Sequence, residues 1–317
     1  MGSATRRKGS KAEDTISSNM KLGRLAMAIM IPGRVDDGGW SESAARAGES
    51  LARSAAMQVE VVAELGENGA AETVASIADR GTDLIIGHGF EFITTFLRLA
   101  PNYPQSNFFA MDKVKDEDGW PDNFGCLYQR QDEAIYLCGR LSAHMTQNAR
   151  VGFIGGVEIP TQLSNGRAFE RGAKSLQPSI DVLTSYAGTF EDPEKGHKIA
   201  KDMIDQGADL IMHTASETGN GVIAACKEGN VYTFGFILDL SDLAPNNIVT
   251  SLILDVKNIY RRKAQEVAAN RFRAGVWTVG LREGLIGLAP LSDIVPMEAV
   301  NDIKKTERDI VAGIRKL

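Results

Sequence analysis

The sequence predicts an α/β protein made of two doubly wound parallel-sheet lobes joined by a multi-strand hinge. Three observations carry this reading. Short apolar runs alternate with longer segments of helical period, which is the pattern of successive βαβ units. One such segment occurs twice: VASIADRGTDLIIGH, with Gly81, Asp83, Leu84, Ile85 and Ile86, and AKDMIDQGADLIMHT, with Gly207, Asp209, Leu210, Ile211 and Met212. Shifted by the same offset, the opening run Leu25–Ile31 falls on Val151–Val157. Finally, 317 residues suit two domains that each bury a core.

The first lobe opens with the strand LAMAIMI. A helix from Trp40 to Ala56 follows, with Ala44, Ala45, Gly48 and Leu51 on one face. VEVVAEL is a strand, Ala70 to Arg80 a helix, LIIGH a strand, Ile93 to Ala100 a helix, and NFFAMD a strand ending at Asp112. A helix over Asp132–Met145 carries the chain onward. The second lobe repeats the order: VGFIGGV, a helix around Leu163–Ser175, DVLTSYAG, a helix from Pro193 to Gln206, DLIMHT, a helix from Gly221 to Lys227, and VYTFGFILD. Then come the strand NIVTSLIL, a helix over Val256–Asn270 that could cross back, two short extended pieces in GVWTVGLREGLIGLAPL, and an amphipathic helix from Met297 to Lys316. The expected division is a disordered tail at 1–21, lobe one at 22–127 plus 252–274, and lobe two at 128–251 plus 275–317.

Composition excludes several roles. The net charge of −6 has interspersed signs, and the one basic cluster, Arg6-Arg7-Lys8 with Lys11, lies in the polar tail, so no nucleic-acid or membrane-surface stripe exists. There is no apolar run of about 18 residues and no signal-peptide h-region. The expected location therefore divides: periplasmic or a cell-surface lipoprotein if an export signal has been removed, cytoplasmic if this start is native. Cys126, Cys138 and Cys226 lack metal spacing and read as buried hydrophobes. His88 and His213 sit at strand ends without a supporting ligand set, so neither a metal nor a cofactor is expected. VGFIGG lacks the GxGxxG spacing, and no GxSxG, HExxH or Cys–His pattern is present.

Ligands of open α/β sheets bind beyond the carboxyl ends of the strands. Here those loops are PGRVDDGGW, GHGFEF, the turn at Asp112, GTFEDP, ASETGNG and LDLSD. They bring aromatics and carboxylates together with few basic residues. Facing aromatics can sandwich a flat ligand, and carboxylates accept its N–H or O–H donors. A phosphate would call for Lys, Arg or a P-loop. The candidates are Trp40, Asp37, Phe90, Phe92, Asp112 and Asp239. Each has a plainer role open to it: Trp40 as a packing residue at a helix start, Asp37 as a cap, Phe90 and Phe92 as core.

Several loops also resemble one known family. VDDGGWSESAARAG, NYPQSNFFAMD, QDEAIYLCG, YAGTFEDPEKG, GADLIMHTASETGNGV and GFILDLSDLAPNNIVTS are similar, in that order, to segments of the basic membrane lipoprotein (PnrA-like) family. These are substrate-binding proteins of ABC importers with a type I periplasmic-binding-protein fold, and the resemblance runs from about Leu22 to Leu291. It implies that Trp40 and Phe190 flank a purine, that Asp112 and Asp239 supply acceptors, and that the loop from Gly219 to Gly221 gives backbone contacts. Ser41 stands where the family has Asn, and the family's Lys falls near Leu254. Loss of that Lys, which in the family belongs to the sugar-holding group, tilts the expected ligand from nucleoside toward a free base or a different polar heterocycle.

The expectation is thus a non-enzymatic, monomeric solute-binding protein that captures a purine base or nucleoside and delivers it to an ABC transporter permease. A cytoplasmic ligand-sensing module of the same fold is the alternative, and an enzyme on this fold a more distant one.

Overall fold

The first sheet is laid down by β1 (Leu25–Met30), β2 (Met57–Val62), β3 (Leu84–Gly87), β4 (Asn107–Ala110) and β5 (Phe124–Gln129). Helices α1 (Trp40–Ala52), α2 (Ala70–Asp79) and α3 (Ile93–Leu99) connect them. The computed structural model describes residues 24–65, 70–113 and 119–317, so the tail expected at 1–21 lies outside the described residues. Helix α4 (Gln131–Met145) enters the second lobe, built from β6 (Arg150–Gly155), α5 (Pro160–Leu176), β7 (Asp181–Tyr186), α6 (Pro193–Asp205), β8 (Leu210–Thr214), α7 (Ser216–Glu228), β9 (Tyr232–Ile237) and β10 (Ile248–Leu254). The chain returns through α8 (Val256–Ala268) and β11 (Gly275–Val279), then closes with β12 (Ile286–Leu288) and α9 (Met297–Val311).

The sheet orders are β11-β5-β4-β3-β1-β2 and β12-β10-β9-β8-β6-β7. Pairing is parallel throughout except for β10 with β12. This arrangement moves the expected lobe boundaries at three places, the first being Tyr128 and Gln129, which end β5 in the first sheet. β11 pairs in register with β5, Gly275 beside Gly125 through Val279 beside Gln129, so 275–279 belong to the first lobe. Leu252 and Ile253 pair with Phe236 and Ile237 of β9, which puts them in the second. Hydrogen bonding between strands decided these assignments, and short apolar runs carry no label for the sheet they will join.

The internal duplication also needs adjustment. The amide of Asp83 donates to Ala26 O and that of Asp209 to Arg150 O, so the opening strands correspond two residues out of the simple offset. Both aspartates tether the entry to their lobe's first strand. Asp83 accepts from the amide of Ala26 at 2.9 Å, and Asp209 from the amides of Gln147 and Asn148.

Central strands are buried from end to end because helices cover both faces of a parallel sheet. Leu84–Gly87 and Leu210–Thr214 are buried at every position. The edge strands β2 and β7 show partial exposure instead. Helix α1 stops at Ala52, short of the expected Ala56, where the chain turns with Ser54 N–H donating to Leu51 O. Helix α7 begins at Ser216, earlier than the expected Gly221, so most of the ASETGNG segment is helical. Gly196 on α6 packs on the Thr218 carbonyl, and Gly221 on α7 packs on the Pro193 carbonyl. A side chain at either glycine would push these helices apart. The three cysteines are buried. Among the described residues no helix is long and apolar enough to cross a membrane.

The chain crosses between lobes three times: at Gln129–Gln131, at Leu254–Val256 and between Val279 and Ile286. The crossings are bonded to one another. Arg130 N–H donates to Val279 O, Asp255 N–H to Leu285 O, and Leu281 N–H to the Glu133 carboxylate at 2.9 Å. Burial raises the Glu133 pKa, while that amide and Arg130 at 2.8 Å favour its charged form.

Candidate functional site

Between the lobes lies a cavity of about 560 Å³, in the size range of a small-molecule site. Lobe one contributes the turn after β1, Glu64, the segment Gly89–Glu91 and Asp112. Gln129 and Gln131 come from the first crossing. Lobe two contributes Ile159, Thr161, Gln162, Phe190, Glu191, Thr214, Ser216, Glu217 and Phe236.

The turn after β1 is organised by Asp37. Its buried carboxylate accepts the amides of Gly39, Ser41 and Glu42, each at 2.9 Å, satisfying orphan N–H groups at the start of α1. Glu42 returns the contact by accepting from Gly38 N–H at 2.9 Å. Asp37 also accepts from Ser216 Oγ of lobe two at 2.9 Å, while Asn220 Nδ2 donates to Asp37 O at 3.1 Å. The carboxylate is therefore occupied as a cap and a bridge between lobes.

Trp40 stands at the first position of α1 and lines the cavity. Its indole lies on the His88 imidazole, with centroids 4.0 Å apart and planes inclined by 23°. Trp40 Nε1 donates to His88 O at 2.9 Å. His88 Nε2 is 2.9 Å from Trp40 O, and its Nδ1 is 2.7 Å from the Tyr260 hydroxyl. Burial depresses the His88 pKa to about 3, so the ring is neutral at ordinary pH. On the facing lobe, Phe190 packs over Gly156, where any side chain would collide with the ring.

Asp112 follows β4 and opens into the cavity. Burial raises its pKa to about 6, offset in part by the Lys113 amide at 2.7 Å and by Thr161 Oγ1 across the cleft at 3.5 Å. Among the described residues it has no cationic partner within ion-pair distance. Arg34, the one basic side chain lining the cavity among the described residues, is paired through two 3.0 Å bonds with Asp36. Among the described residues, the cleft thus offers acceptors and flat apolar faces, and its one lining cation is paired with Asp36.

Of the expected site residues, Trp40, Asp37, Ser41, Phe90, Asp112 and Phe190 meet at this cavity, with Asp37 in the capping role just described. Three do not line it. Phe92 is fully buried in the lobe-one core against Phe96, because the turn after Gly89 points Phe90 out and Phe92 in. Gly219 sits inside α7 against the His213 ring, its backbone turned into the helix. Asp239 lies in a separate groove beside Ser43 and Arg46 of α1. The diversion occurs at Ile237, whose φ of 72° is left-handed and strained for a β-branched residue. It leaves Phe236 in the cleft and turns Leu238 and Asp239 away.

Sequence reasoning missed the amides of the cleft floor. Gln131 donates to Gln129 Oε1 at 2.9 Å and accepts from Asn165 at 3.0 Å; Thr214 bonds Gln162. The available signal was Gln129-Arg130-Gln131, a polar run ending an apolar strand where the chain leaves its lobe. Among the described residues no group of His, Cys, Asp and Glu could hold a metal.

Two parallel α/β lobes joined by three crossings around a lined cleft define a protein of the periplasmic-binding-protein fold. The chain belongs to the family of PnrA-like ABC transporter substrate-binding proteins, whose sequence model matches residues 25–316. It is 28% identical over 297 residues to basic membrane protein A2 of Borrelia garinii subsp. bavariensis, covering 92% of this chain and 88% of that one. With basic membrane protein D of Borreliella burgdorferi it shares 29% over 307 residues, covering 95% and 90%. The fold matches an ABC transporter solute-binding protein from Aeropyrum pernix with a TM-score of 0.83 at 19% identity, covering 92% of both chains. It also matches one from Conexibacter woesei, with a TM-score of 0.76 at 24% identity, covering 92% of this chain and 97% of that one. At those identities the likeness concerns fold alone. Family membership makes the protein a binder rather than an enzyme, with a small-molecule ligand and an ABC permease as partner.

Proposed function

We propose that the cleft binds a free purine base, or a nucleoside as the less favoured ligand, and presents it to the permease from outside the cytoplasm. The observation that carries this reading is Asp112, a carboxylate desolvated to a pKa of about 6 and open to a cavity flanked by Trp40 and Phe190. Two adjacent N–H donors on a flat heterocycle suit such an acceptor, and their hydrogen bonds to a charged group are strong ones. The Arg34–Asp36 pairing speaks against phosphorylated ligands. An extracytoplasmic setting is supported by the relatives' names, which call them basic membrane proteins.

Thermal-shift screening of purine bases, nucleosides, nucleotides and sugars tests the ligand class, because a ligand that binds only the folded state raises the melting temperature. Adenine and related bases are expected to raise it most, and adenosine monophosphate not at all. A response to sugars without one to purines would overturn the reading. Alongside it stands a regulatory reading. A protein described as a transcriptional activator of the comK gene from Bacillus halodurans shares the fold with a TM-score of 0.80 at 21% identity. Fractionation of the native host separates the two, since the importer reading requires the protein outside the cytoplasm.

A further inference from the structure

We propose that His88 and Tyr260 are positioning residues for the ligand platform, clamping the Trp40 indole so that a single face is open to the cleft. This rests on the reading of Trp40 as the surface a flat ligand stacks on. His88 is completely buried and does not line the cavity, so its ring closes the inner face of the indole while the outer face meets the cleft. The contact is made twice more by hydrogen bonds running in opposite directions. Trp40 Nε1 donates to His88 O, and His88 Nε2 donates to Trp40 O, each at 2.9 Å. Ring and backbone of the two residues therefore lock both position and tilt.

The tautomer follows from the partners. A carbonyl can only accept, so His88 carries its proton on Nε2 and Nδ1 must accept. The Tyr260 hydroxyl at 2.7 Å is then the donor. Tyr260 stands on α8, one turn beyond the crossing at Leu254–Val256. Its ring is fully buried and meets the His88 ring edge-on at 6.1 Å and 88°. Burying an imidazole and a phenol here costs free energy that an apolar pair would avoid, and full pairing offsets it. A chain of three side chains running from a hinge-side helix to one face of the platform is what that arrangement supplies.

The test uses the Y260F, H88F and W40F variants, indole ¹⁵N–¹H NMR, and calorimetric titration with adenine. Loss of one resonance in W40F identifies the Trp40 indole among those of Trp40, Trp120 and Trp277. In Y260F, which keeps the ring volume, that resonance is expected to move and broaden while the other two stay in place. Adenine affinity should fall about tenfold, the scale of one buried hydrogen bond. H88F retains a ring under the indole but neither side-chain hydrogen bond, and should fall at least as far. An unmoved Trp40 resonance in Y260F with adenine affinity within roughly twofold of the parent, or full affinity in H88F, overturns the proposal. If the parent protein binds no purine, the NMR arm still decides: a Trp40 resonance that responds to Y260F keeps the positioning role and removes only the ligand reading.

Discussion

Asp37 and Ser216 join the two lobes across the cleft mouth. The serine hydroxyl of α7 donates at 2.9 Å to a carboxylate already holding the first turn of α1. Ser216 Oγ is also 3.3 Å from the amide of Trp40. The same few atoms thus start the helix, place the platform and close the lobes. Ser216 itself holds a left-handed φ of 48°, so its side chain is aimed by a constrained backbone.

Removing that hydroxyl is expected to loosen closure without unfolding either lobe. In S216A, ligand affinity should fall by about five- to tenfold, equivalent to roughly 1 kcal/mol. Small-angle scattering of the ligand-free protein should show a larger radius of gyration than the parent. D37A removes the cap as well, so about 1–2 kcal/mol of stability should go with it. Equal stability loss in both variants would mean that Ser216 supports the fold rather than closure.

Trp40→Ala should weaken purine binding by at least about tenfold, because an aromatic platform supplies both area and stacking. It should also cost about 1–3 kcal/mol in denaturant unfolding, since the indole covers His88 and donates to its carbonyl. W40F keeps an aromatic face and should recover part of the binding.

Asp112 makes ligand binding depend on pH. An N–H donor needs the ionised carboxylate, so affinity should drop as pH falls through about 6. Stability runs the other way. A carboxyl whose folded pKa lies above its unfolded value binds more protons when folded between those two values, so stability declines as pH rises through that window and the cost is complete above it. D112N is therefore expected to abolish most purine binding yet stabilise the ligand-free protein at pH 8 by about 1 kcal/mol. Calorimetry and chemical denaturation at pH 5 and 8 check both signs.

Gly219→Ala separates a structural glycine from a ligand-contacting one. Its new methyl would run into the His213 ring, so a loss of about 1–3 kcal/mol is expected. Titration of the folded fraction should give unchanged affinity. Weakened binding at full stability would return Gly219 to the ligand site.

The fold was largely legible because its signals are local. Apolar runs such as Leu84–Ile86 and their copy at Leu210–Met212 announce buried parallel strands, and Gly81 and Gly207 mark the turns before them. Loops at strand ends could likewise be ranked by chemistry, which pointed to Trp40 and Asp112, while Phe190 came from the family resemblance; all three line the cleft. The errors arose where direction rather than composition matters. Phe90 and Phe92 are the same residue type two positions apart, and a short helical turn sends one to the cleft and one to the core. Asp239 was lost to the cavity through the backbone angle at Ile237.

By itself, the sequence determined that two similar α/β lobes would form and that polar, aromatic loops would gather where their strands end. These follow from periodicity and burial, which act over a few residues at a time. Only the tertiary structure decided that β11 joins the first sheet, that Asp37 faces Ser216 and that His88 lies beneath Trp40. Each of these joins residues far apart in the chain, and their meeting depends on lobe packing, sheet-edge pairing and hinge geometry that no local pattern encodes.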